Sequence, residues 1–128
     1  MSGASAGDAG PWTEKGRADL RSARWELERP DQPNLDAAGF HAQQAVEKLL
    51  KAALVALGQT PPRTHDLVHL ADLLTRAGSR WSWSPEELAY LSQAGVAVRY
   101  PGVALTRDEA ARLVVLAERI WDAPPVAI

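Results

Sequence analysis

An all-α fold, an up-and-down bundle of about five helices, follows from three features of the chain. Apolar residues recur at three- and four-residue spacing in five separate stretches, the period that lines one face of a helix. Two stretches open with a hydroxyl residue followed three positions later by glutamate: Ser84-Pro-Glu-Glu87 and Thr106-Arg-Asp-Glu109. In that pattern side chain and backbone cap a helix start reciprocally. Apolar–polar alternation is nowhere sustained, and Trp81-Ser-Trp83 is too short for a strand.

The first helix is expected from about Trp12 to Glu28, with Leu20, Ala23 and Leu27 facing inward. Pro30 and Pro33 stop it and hold the linker extended. The second runs from about Asn34, its N-cap, to Leu57, with Gly58 at the stop. After Pro61-Pro62, Thr64 is expected to cap a third helix carrying Leu67, Leu70, Leu73 and Leu74 and ending at Gly78. The fourth follows Ser84, with proline at its first position and a buried seam of Leu88, Leu91, Gly95 and Val98. Gly95 in such a seam points to close backbone approach. The last helix follows Thr106 and turns Leu113, Leu116, Ala117 and Ile120 inward. Short connections make neighbouring helices antiparallel. Residues 1–11 read as a disordered leader, with one domain over residues 12–128.

The 128 residues suffice for one domain that buries roughly two-thirds of its unfolded surface. A hydrophobic content of 46% supplies a core and excludes global disorder. A net charge of −2 gives no whole-protein electrostatic case for nucleic acid, so any such binding needs a local basic patch. The absence of cysteine excludes disulfides and thiolate metal sites and fits a reducing, cytoplasmic setting. The N-terminus lacks the features of a signal peptide, and no apolar run approaches the roughly 18 residues that span a bilayer.

The second helix carries the most ordered polar pattern. His41, Gln44, Lys48 and Lys51 fall on one narrow stripe, opposite Ala38, Ala42, Ala45, Leu49, Ala53 and Leu57. Such a stripe is either a solvated face, with Glu47 pairing to Lys51 one turn away, or a phosphate-binding set. Arg99-Tyr100-Pro101-Gly102 stands where the fourth helix must stop. It serves either as a terminator, its arginine complementing the helix dipole, or as an arginine–tyrosine pair gripping phosphate and base. His65, His69 and Asp72 have the spacing of one helical face, a weak metal candidate without a fourth ligand. Arg17, Arg21 and Arg24 line the first helix, balanced by Glu14 and Glu28. Of five tryptophans, Trp81 and Trp83 sit in the loop before the fourth helix, where exposed aromatic surface would favour a partner contact.

Three separated motifs, taken in order, resemble the HEPN family: Gln43-Gln44-Ala-x-Glu47-Lys48-x-x-Lys51-Ala, then Pro61-Pro-Arg-Thr-His65-Asp-Leu, then Arg99-Tyr100-Pro101. The similarity extends from about Trp12 to Trp121. It implies an up-and-down bundle, a homodimer, and a partner nucleotidyltransferase encoded nearby as the other half of a toxin–antitoxin-like module. It also implies a nucleotide or RNA ligand, with Arg99, Tyr100, Lys48, Lys51, Gln44 and Glu47 as binding residues and no cofactor. Many members are metal-independent RNases with an arginine followed four to six residues later by histidine. Here the positions after Arg99 hold Ala104, Leu105 and Thr106, none of which moves a proton near neutral pH. The Arg63 and His69 pair has similar spacing but spans the start of helix three, away from the family's site. The expected function is therefore non-catalytic binding of nucleotide or RNA phosphate. The alternatives are an RNase in which His65 or His41 replaces the missing histidine beside Arg99, and a purely structural dimerising accessory of the nucleotidyltransferase.

Overall fold

Five helices follow one another along the chain: α1 (Gly10–Glu28), α2 (Leu35–Ala56), α3 (Leu67–Arg76), α4 (Pro85–Val96) and α5 (Arg107–Asp122). A two-residue antiparallel pair joins β1 (Ser79–Arg80) to β2 (Val126–Ala127), with Ser79 opposite Ala127 and Arg80 opposite Val126. Alternation too brief to register in sequence is enough for two residues. The computed structural model describes residues 7–97 and 99–127. Val98, expected in the seam of the fourth helix, and leader residues 1–6 lie outside the described residues.

The capping chemistry sets most helix boundaries as expected. Asn34 accepts from the Ala37 amide at 3.0 Å. At the other end of α2, Gly58 (φ +79°) and Gln59 return hydrogen bonds to Val55 and Leu54, which satisfies carbonyls the helix leaves orphaned. Both capping boxes are formed in full, Ser84 with Glu87 and Thr106 with Glu109. The bonds from Thr106 hold the Glu109 carboxyl below its ordinary range, first through its backbone amide and then through its side chain. Two boundaries differ from expectation. α1 begins at Gly10, two residues early, with Pro11 in its first turn. Asp66 rather than Thr64 caps α3, accepting from the Val68 and His69 amides. Thr64 instead accepts from the Asp66 amide and shapes the preceding turn.

α2 is the axis of the bundle, packed by α1, α3, α4 and α5. Its burial is not confined to one side: Gln43, Glu47 and Lys51 are enclosed together with Ala38, Ala42, Val46, Leu50 and Leu54. Each fully buried leucine such as Leu50 contributes about 1.5–3 kcal/mol. The close approach expected at Gly95 is present. A Cβ there would come within 2.5 Å of Gln43 Cβ and 2.9 Å of the Gly39 carbonyl oxygen. Four of the tryptophans are half-buried. Trp121 donates to the Ala45 carbonyl at 3.0 Å, and Trp81 and Trp83 pack against the core rather than standing free. Trp25 alone of the five is exposed, at 61%. No helix among the described residues is long and apolar enough to cross a membrane.

Candidate functional site

The second-helix motif forms an enclosed polar network centred on Glu47. Its carboxylate accepts from Lys51 at 3.0 Å one turn on, and from Gln43 at 3.3 Å one turn back. Gln44 adds a longer bond at 3.4 Å and also donates to Gln43 at 2.7 Å. His65, from the α2–α3 connection, places Nδ1 2.9 Å from Glu47 Oε1, while its side chain remains 74% exposed. The His65 carbonyl accepts from Gln43 and from Ser92 of α4, and Ser92 in turn accepts from the Leu67 amide. Trp12 of α1 covers Lys51, whose ammonium lies 5.5 Å from the ring centre. The Glu47–Lys51 pair is thus sealed between α1, α4 and the connection ahead of α3. A buried pair of this kind is tolerable because hydrogen bonds saturate both charges.

The remaining stripe residues turn toward α1. His41 Nδ1 lies 2.9 Å from Asp19 Oδ1, and Lys48 is ion-paired with the other oxygen of the same carboxylate. Gly16, one turn before Asp19, lets α1 come close: a Cβ there would meet the Trp121 ring at 2.6 Å and Lys48 Cβ at 3.2 Å. Asp19, Ser92 and Trp12 were not expected at the site. No spacing rule links them to α2, because they sit on other elements and arrive only through packing. The first-helix arginines are likewise engaged. Arg24 pairs with Glu28, as expected, and with Glu118 of α5, whose hydrogen bond raises the arginine's pKa. Arg17 lies over the Trp121 ring.

Arg99 sits at the foot of α4, where it donates to the carbonyls of Ala94 at 2.7 Å and Ala97 at 3.1 Å. Its Nε lies 3.7 Å from Asp36 in the first turn of α2, and its side chain is 16% exposed. Asp36 also accepts from the Leu105 amide at 2.9 Å, so the connection is fixed on both sides of a tight turn. In that turn Val103 donates to the Tyr100 carbonyl and Gly102 adopts φ +84°. Tyr100 is 82% exposed at its head.

Two expected groupings do not form within one chain. Asp36 marks the level of Arg99 on α2, and Lys48 lies twelve residues further along, about 18 Å by helical rise. Arg99 therefore does not share a pocket with Lys48 or Lys51, and Asp36 rather than Glu47 orients it. The metal candidate also dissolves. His65 precedes α3 instead of occupying its first turn, and Asp72 is taken by Arg76 at 3.0 Å. Among the described residues no group of three or more histidines, cysteines or carboxylates could hold a metal ion.

The family model for the HEPN domain matches residues 9–124. The chain belongs to the HEPN family. A HEPN-like assignment also agrees with a solved structure, the crystal structure of TT1696 from Thermus thermophilus. The two share 28% identity at a TM-score of 0.75, over 89% of this chain and 93% of that one. No curated protein matches the chain. For a HEPN protein, the three motifs have separate positions: Glu47 and Lys51 inside the bundle, His65 at its surface, and Arg99 at its far end.

Proposed function

We propose that this HEPN protein is a non-catalytic module that binds nucleotide or RNA phosphate. It acts in the cytoplasm as a homodimer beside a nucleotidyltransferase, in a two-gene, toxin–antitoxin-like pair. The observation that carries the reading is the anchored Arg99–Tyr100 turn. A guanidinium has five donors, and Arg99 directs one N–H to each of two carbonyls and its Nε toward Asp36. Its remaining donors suit a phosphate oxygen, beside an exposed phenol able to stack or bond. Ala104, Leu105 and Thr106 offer no proton transfer there. Lys48 and Lys51 frame the bundle in this reading rather than touch the ligand, since Asp19 and Glu47 already neutralise them.

Binding of labelled nucleotides and RNA to the purified protein tests this. Arg99→Ala should weaken binding at least tenfold, and Tyr100→Ala should weaken it less. Unchanged binding by Arg99→Ala would end the assignment of that residue. Co-purification with a nucleotidyltransferase without any nucleotide or RNA affinity would single out the structural accessory instead.

One observation favours a second reading, an RNase with His65 as proton shuttle. A buried carboxylate fixes one imidazole nitrogen and leaves the ring open to solvent, the orientation a general base requires. Arg99 lies too far along the bundle to assist in the same chain, so this reading needs two copies. RNA cleavage by wild type that disappears in both His65→Ala and Arg99→Ala would establish it.

A further inference from the structure

Three arginines outside these motifs differ from the cations of α2 in having no carboxylate of their own. Arg112 and Arg119 lie on the exposed side of α5, seven residues and so about 10.5 Å apart along the axis. Arg80 is exposed in β1. None of the three is ion-paired among the described residues. Two are held against aromatic rings instead: Arg112 lies 5.4 Å from the centre of Tyr90, and Arg119 lies 5.4 Å from that of Trp83. Between α4 and α5 these pairs border a hollow of about 520 Å³, floored by Ala111, Val115 and Leu116. That is room for a nucleotide.

The track continues beyond Trp83, whose indole donates to the Ala123 carbonyl at 3.3 Å. Ala123 lines a second hollow of about 410 Å³ together with Arg80 and Trp81. The Trp81 indole N–H is enclosed and finds no acceptor in the protein alone. Two carboxylates line the first hollow. That of Glu87 is committed to the Ser84 capping box, and that of Glu86 remains exposed on the α4 rim.

We propose that this face, formed by α4, α5 and the α3–α4 connection, binds single-stranded RNA. Arg112, Arg119 and Arg80 take successive phosphates, and bases stack on Tyr90, Trp83 and the guanidinium planes. Glu86 accepts from base amino groups, the contact a carboxylate makes with nucleobases. A strand fits better than a free nucleotide because the arginine–aromatic pairing recurs over two adjoining hollows. The inference rests on the nucleic-acid reading above but moves the main contact away from Arg99.

The test is anisotropy of a short labelled single-stranded RNA across a salt series. The probe is titrated with wild type, the surface double variant Arg112→Ala/Arg119→Ala, Trp83→Ala and Arg99→Ala, each checked for its unfolding midpoint. The double variant should bind at least tenfold more weakly, with its log–log salt slope reduced by about 1.4 for two lost phosphate contacts. Trp83→Ala should lose about 5- to 100-fold. If wild type binds and only Arg99→Ala weakens it, the location is overturned and the nucleic-acid reading stands. If wild type does not bind RNA at all, both fall. Equal affinity for a mononucleotide overturns the strand. Loss of a co-purifying protein with RNA binding intact makes the face a protein-docking surface and overturns the proposal.

Discussion

The cations of α2 and those of α5 are similar in sequence and opposite in circumstance. Lys48 and Lys51 are each matched to a carboxylate, from Asp19 and Glu47, and Lys51 is further covered by Trp12. Arg112 and Arg119 project from the surface with only an aromatic ring beneath them. A charge neutralised inside a bundle holds helices together, and removing its partner costs stability. A charge left unmatched at the surface costs little to remove and is available to an anion. An ordered stripe on a helix is therefore poor evidence for a ligand unless its counter-charges are known.

Glu47→Ala should break the comparison most severely. It strips Lys51, Gln43 and His65 of their shared acceptor, and removing one partner of a buried pair costs about 3–5 kcal/mol. Chemical denaturation reads this directly, and a loss under 1 kcal/mol would mean that the network is not the structural element described. Gly95→Ala comes next, at about 1–3 kcal/mol, because the added methyl meets Gln43 and the Gly39 carbonyl at the α2–α4 contact. A stability gain there, as helix propensity alone would give, would show that the helices can part without cost. Arg99→Ala should lower stability by about 1 kcal/mol through lost bonds to the last α4 carbonyls. The double variant Arg112→Ala/Arg119→Ala should change stability by no more than about 0.5 kcal/mol. A larger loss would place these arginines with the structural cations after all.

The smallest effect is one of pH. Glu109 has its carboxyl held below the ordinary range, so its contribution is present above the unfolded value, near 4.5, and is lost as pH falls through the folded value. Glu109→Gln keeps the capping geometry but does not titrate. The difference in melting midpoint between wild type and this variant should shrink on acidification below about pH 4.5. A difference that persists in acid would show that the carboxylate charge contributes nothing.

Much of the fold was legible because its signals are local. The two capping boxes, the Asn34 cap, the Gly58 stop and the close approach at Gly95 each depend on residues within a few positions of one another. The misplaced cap of α3 shows the limit of that reasoning: Thr64 and Asp66 are both good caps, and the first α3 amides fall within reach of the second. The candidate site was less legible. The Glu47–Lys51 pair was visible as an i,i+4 spacing, whereas Asp19 beside Lys48 and Asp36 beside Arg99 lie across helix–helix contacts.

The sequence by itself determined five helices, most of their ends and, through three ordered motifs, membership of the HEPN family. Tertiary structure alone decided which charges are available. Spacing of three and four places residues on one face of a helix, but whether water or another helix covers that face depends on every other element. Here α1, α4 and the connection ahead of α3 close over the polar side of α2 and leave the arginines of α5 uncovered.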